Sequence, residues 1–151
     1  MNNKKAKKGK RGRTVLKVLG TILAVIVIFC SVTAVISVIG NKANTEKAQS
    51  VAAVEKEDTL VPQKDENGYW TFTTDRDFKV LQLTDIHIGG GWLSLKKDAM
   101  ALNAVAAMIS EEKPDLVIVT GDIAFPVPYK AGTLNNLASA KVFAALMEKL
   151  G

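Results

Sequence analysis

The chain has 151 residues, enough for about one ordinary domain, with 48% hydrophobic residues and a formal net charge of +5. That charge is concentrated: residues 1–17 carry eight Lys/Arg and no acid, which leaves twelve basic against fifteen acidic residues in the remainder. A polybasic tail can condense on nucleic acid by releasing counterions, but no aromatic residue is interleaved with this one and an apolar segment follows at once, so no nucleic-acid partner is expected.

Val18 to Ile39 is a run of twenty-two residues without a charge. At about 1.5 Å rise per residue it reaches roughly 33 Å, enough to cross a hydrocarbon core of about 30 Å. A cleaved secretory signal has a shorter apolar stretch, so the expectation is an uncleaved single-pass anchor. Eight positive charges before the span, against Lys42 and Lys47 just after it, predict a cytoplasmic amino terminus and an extracytoplasmic remainder at the cell membrane. Cys30, the only cysteine, falls within the span, so no intrachain disulfide can form. The bulky Phe29 before it argues against a lipidation site.

Residues 40–66 are polar and mixed in charge, which reads as a linker with a short frayed helix around Ala48 to Glu57. Asn67-Gly68 marks a turn, and two β-rich runs follow, Tyr69 to Thr73 and Phe78 to Leu83, which suggest a hairpin leading into a sheet. From Lys97 to Glu112 the apolar residues Leu102, Val105, Ala106 and Ile109 have helical spacing, and Pro114 stops the helix. Leu116 to Val119 is a continuous apolar run of the kind found in a strand buried on both faces. A second helical pattern runs from Leu134 to Leu150, with Ala138, Val142, Ala145 and Leu146 on one face. The organisation is therefore a basic tail (1–17), a span (18–39), a linker (40–66) and an α/β domain (67–151).

Strand, helix, strand at this spacing implies a parallel pair joined by a crossover. Both strands then end on one edge of the sheet, where α/β proteins place ligands. The first ends in Thr84-Asp85-Ile86-His87, followed by Gly89-Gly90-Gly91; the second ends in Thr120-Gly121-Asp122. In extended backbone Asp85 and His87 project to the same side, and Asp122 brings a second carboxylate able to bridge two cations about 3.5 to 4 Å apart. The glycines are expected to let the backbone turn close to the ion. Each motif alone is weak, because an acid after a strand is more often a helix cap or a turn.

Together, LQLTDIHIG at 81–89 and PDLVIVTGDI at 114–123 resemble the calcineurin-like metallophosphoesterase superfamily, over about residues 69–151. The resemblance implies the amino-terminal part of an αββα sandwich with two divalent metal ions (Mn, Zn or Fe), Asp85 and His87 on the first metal and Asp122 bridging both. It implies a phosphate-ester substrate attacked in line by water that the cations activate. Two departures from the family pattern matter. Phe125 stands where purple acid phosphatases have a ligating tyrosine, and the later Asn-His and Gly-His-x-His segments are missing, His87 being the chain's only histidine. Three side chains cannot fill two coordination spheres, so the expectation is half a site, inactive by itself. The competing expectation is a membrane-anchored binding or scaffold protein that keeps the fold without hydrolysis. Trp92 is expected to pack under the glycine loop in preference to stacking on substrate.

Overall fold

The computed structural model describes residues 2–56 and 58–151, with side chains from residue 12 onward. The basic side chains from Lys4 to Arg11, and Glu57 of the expected linker, lie outside the described residues.

Helix α1 runs from Asn2 to Ser50 without a break. It is long and apolar enough to cross a membrane. Apart from the half-buried Ile36, its large apolar side chains stay exposed from Val15 to Ile39, as they would when lipid is the solvent. The expected linker begins eleven residues too early: residues 40–50 continue α1, and among the described residues it is 51–56 and 58–62 that lack regular structure. The helix persists because Thr33, Ser37, Asn41, Asn44 and Ala48 form a buried stripe at three- and four-residue spacing. Tertiary contact along that stripe outweighs the weak helix propensity of Asn, Ser and Thr.

The hairpin forms, but with other partners than expected. Strands β1 (Gln63–Lys64) and β2 (Trp70–Thr71) pair antiparallel across the Asn67-Gly68 turn. The Asp65 carboxylate accepts the amides of Asn67 at 2.9 Å and Tyr69 at 2.8 Å, and Gly68 adopts φ 83°. The turn thus recruits the residues on both of its sides, and the run from Phe78 is left to pair elsewhere.

Strand β3 (Val80–Leu83) pairs in parallel with β4 (Leu116–Val119), Val80 opposite Leu116 and Leu83 opposite Val119. Between them α2 (Leu95–Glu112) buries Leu102, Val105, Ala106 and Ile109, the face its periodicity predicts. Lys113 closes it in the left-handed region at φ 46°, its amide returning to the Ile109 carbonyl. After a short helix α3 (Pro128–Ala131), α4 (Asn136–Leu150) is capped by the Asn135 side chain, which accepts the Ala138 amide at 3.1 Å. It buries Ser139, Val142, Phe143, Leu146 and Leu150, a face rotated slightly from the predicted one.

The core joins Leu83 and Ile88 to the inner faces of α2 and α4 and to Ala48 of α1. Only one face of the β3–β4 pair is covered. Val80 and Ile118 stand exposed on the other, so the apolar run of β4 is not buried on both sides as its sequence suggests. The whole is a helix of membrane-spanning length followed by a mixed α/β unit with two small sheets.

Candidate metal centre

The β3–β4 pairing does not stop at the strand ends. The His87 amide donates to the Asp122 carbonyl at 2.9 Å, the Ile88 amide to Ile123 at 2.9 Å, and the Phe125 amide to Ile88 at 2.9 Å, with an isolated bridge between Ile88 and Ala124. The two loops that carry the motifs are therefore laced side by side at the carboxyl edge of the sheet, the place expected for a ligand.

Asp85, His87 and Asp122 come together there. One donor atom from each lies within 4.8 Å of the others. His87 Nε2 stands 3.4 Å from Asp85 Oδ1 and 3.9 Å from Asp122 Oδ2. Donors that share one cation at about 2.0–2.2 Å can be no more than roughly 4.4 Å apart, and both His87 separations satisfy this.

The route to this convergence differs from the extended-strand alternation the sequence suggests. Strand β3 ends at Leu83, and Asp85, His87 and Asp122 all occupy the left-handed region, at φ 57°, 55° and 49°. L-residues enter that region at a cost of about 1–2 kcal/mol each, Asp somewhat less. Three such residues among the four non-glycine residues with positive φ in the described part of the chain is a concentration of strain of the kind found at ligand sites.

Electrostatics point the same way. Asp85 and Asp122 are exposed, and Asp85 Oδ2 accepts one bond, from Thr84 Oγ1 at 2.9 Å. His87 Nδ1 is buried with no hydrogen-bond partner, which leaves Nε2 as the ring atom turned to the carboxylates. His87 Nε2 and the two carboxylates thus form a set of donor atoms that one cation can share. Two carboxylates and an imidazole suit Mn, Zn or Fe. Phe125 lies against His87, ring centroids 5.4 Å apart and tilted by 57°. It packs on the imidazole and offers no donor of its own.

The three glycines serve a purpose other than the expected close approach to an ion. Gly90, at φ 68°, abuts the Asn41 side chain, and a Cβ on Gly91 would run into Ala131 and Gly132. Their small size lets the loop lie against α1 and the end of α3. Asp98 in the first turn of α2 fixes this loop. It is 1% exposed and accepts the amides of Gly89 at 2.9 Å and Gly90 at 2.8 Å. It also accepts Asn44 Nδ2 from α1 at 2.9 Å, and the Ser94 hydroxyl approaches at 3.0 Å. Sequence reasoning passed over Asp98 and Asn44. The signal was an acid in the first turn of a helix directly after a glycine run, whereas Asn44 was hidden in what reads as linker. Trp92 does not lie under the loop: its indole covers Gly132 and remains half exposed.

Comparison with known proteins adds no family to this geometry: no family model, curated protein or solved structure matches the chain.

Proposed function

We propose that this chain belongs to a membrane-tethered, metal-dependent phosphoric ester hydrolase of the αββα metallophosphoesterase type, its domain held outside the membrane by α1. The observation that supports this reading best is the convergence of Asp85, His87 and Asp122, all three in strained left-handed backbone, at the carboxyl edge of a parallel β-pair. Asp85 and His87 would hold one divalent ion, and Asp122, with two carboxylate oxygens, would be shared with a second. Bound there, the ions supply a water activated near neutral pH and charge that offsets the phosphate oxygens. The residues of this chain orient and hold. Thr84 fixes the Asp85 carboxylate, the Asp122 carbonyl fixes the His87 backbone, and Phe125 limits the rotation of the imidazole.

A second reading, a membrane-anchored binding protein without hydrolysis, draws on the donor count. Among the described residues only this one group gathers three metal-capable side chains. The two readings part on one experiment, turnover of p-nitrophenyl phosphate and bis(p-nitrophenyl) phosphate by the whole protein, purified from membranes, with Mn²⁺ or Zn²⁺. Metal-dependent turnover abolished by Asp122→Asn supports the hydrolase. Stoichiometric metal binding with no turnover leaves the binding protein, and no metal binding at all ends both.

A further inference from the structure

The contacts along α1 fall in an order that fixes how the domain is oriented. Nearest the apolar half, Ser37 Oγ meets Thr133 Oγ1, and Leu134 and Ala138 share a cleft with Ala34 and Val38. One turn on, Gly40 faces Leu95 and Asn41 accepts the Ser139 hydroxyl at 3.3 Å. Next, Asn44 reaches Asp98 at 2.9 Å. Beyond the end of α1, the Val54 amide donates to the Leu150 carbonyl at 3.0 Å. Helices α2 and α4 therefore both start near the apolar half of α1 and run away from it. A strand that passes its chain through a short loop to a helix ends beside that helix's amino terminus. The edge that carries Asp85, His87 and Asp122 thus opens toward the apolar half of α1 as well.

That same edge presents large apolar side chains to solvent: Trp92 is 52% exposed, Leu93 51%, Tyr129 69%, Leu134 58% and Leu137 66%. Trp92 lies on Gly132, the Leu93 amide donates to the Ala131 carbonyl at 3.2 Å, and Thr133 meets Ser37, so the segments that carry these side chains lie side by side at α1. Lys96, Lys97 and Lys130 are exposed on the same segments. An aromatic pair, aliphatic side chains and lysines on one rim are the composition of a membrane-interface surface.

The level matches too. The buried stripe begins at Thr33, whereas exposed apolar side chains continue along α1 to Ile39. The domain therefore overlaps the apolar stretch over seven residues, Thr33 to Ile39, about 9 Å of helix rise. That is close to the depth of about 5–10 Å at which amphipathic surfaces sit in the lipid interface.

We propose that Trp92, Leu93, Tyr129, Leu134 and Leu137 form a collar that inserts into the bilayer interface around α1 and holds the metal-centre edge against the lipid headgroups. The occupant of this surface is the bilayer in which α1 is anchored, because collar and span are continuous. The proposal rests on α1 as a membrane span and is independent of hydrolysis.

The test uses the full chain in phosphatidylcholine–phosphatidylglycerol vesicles. The protein has two tryptophans, so Trp70→Phe leaves Trp92 as the sole indole, and Trp92→Phe leaves Trp70, on the hairpin that precedes β3, as a control. With lipid brominated at the 6,7 position of the acyl chain, Trp92 emission is expected to fall to about half or less, and Trp70 emission to change by no more than about a tenth. Unquenched Trp92 in protein that resists alkaline carbonate extraction overturns the collar alone. This holds also when its emission is blue-shifted, since a second protein then covers the surface. Release of the protein by carbonate overturns the span and the collar together. Neither outcome bears on whether the metal centre hydrolyses anything.

Discussion

Two carboxylates at the carboxyl edge of the β3–β4 pair have opposite surroundings. Asp98 is buried, with amides from Gly89 and Gly90, the Asn44 amide group and the Ser94 hydroxyl around its oxygens. Asp122 is exposed, its side chain faces another acid and an imidazole, and its backbone is held at φ 49°. Burial of a carboxylate is tolerated only when its lone pairs are satisfied, so Asp98 is spent on structure and has nothing left for a ligand. Asp122 keeps its oxygens clear of hydrogen-bond donors at a conformational cost, and Asp85 commits only one of its two, to the Thr84 hydroxyl. The difference separates the acid that builds the loop from the acids that use it, although all follow strand or glycine segments in the sequence.

The strongest way to break this comparison is to remove the buried acid. Asp98→Ala leaves two loop amides and the Asn44 amide group without acceptors, each orphan costing about 1–3 kcal/mol. The expected loss is on the order of 3 kcal/mol or more of unfolding free energy, read from denaturant melts in lipid nanodiscs. A melt unchanged from the parent protein means the clasp is not what holds the loop.

Asp122→Asn should do the reverse. It keeps size and backbone but weakens one donor, so affinity for Mn²⁺ or Zn²⁺ should fall by at least about 100-fold by isothermal titration. Without metal, the melt should stay within about 0.5 kcal/mol of the parent. Equal metal affinity in the two proteins would remove Asp122 from the site. A smaller effect sharpens the point about strain: Asp85→Gly relieves a left-handed L-residue. The metal-free protein should then gain up to about 1 kcal/mol while losing metal affinity. Destabilisation by this change would show that φ 57° carries no cost here.

What the sequence revealed and what it hid follow from the range of each interaction. The amphipathic face of α2 was legible because Leu102, Val105, Ala106 and Ile109 repeat at the helical period. The convergence of Asp85, His87 and Asp122 was legible because two strand ends in a parallel pair must share an edge. The geometry of that convergence was not, since the tolerance of Asp and His for left-handed φ is too weak to dictate it, and the lacing between the two loops is long-range. The continuation of α1 to Ser50 was hidden for a like reason. Asn41 and Asn44 are poor helix formers, and their partners Ser139 and Asp98 lie 98 and 54 residues away. The hairpin was misplaced because β-propensity marks strands but not partners, and the turn at Asn67-Gly68 reached back to Gln63–Lys64.

A third carboxylate stands between the two extremes and gives the smallest effect. Asp115, at the opposite end of β4, receives Arg76 in two hydrogen bonds of 2.9 and 2.7 Å and the Lys79 amide at 2.8 Å. The Arg76 hydrogen bonds first, then the Lys79 amide, lower its pKa from 3.8 to about 2. A carboxyl group that binds protons less readily in the folded state than in the unfolded one adds stability where both states are ionised, above about pH 4. That contribution declines as pH falls below the unfolded value and is gone below about 2, where both states are protonated. Asp115→Asn should therefore melt below the parent protein at pH 6, with the gap closing as the pH drops from 4 toward 2. A gap that stays constant over that range would mean the Asp115 side chain stabilises by shape alone. It would then resemble the uncharged members of the Asp98 clasp more than a paired ion.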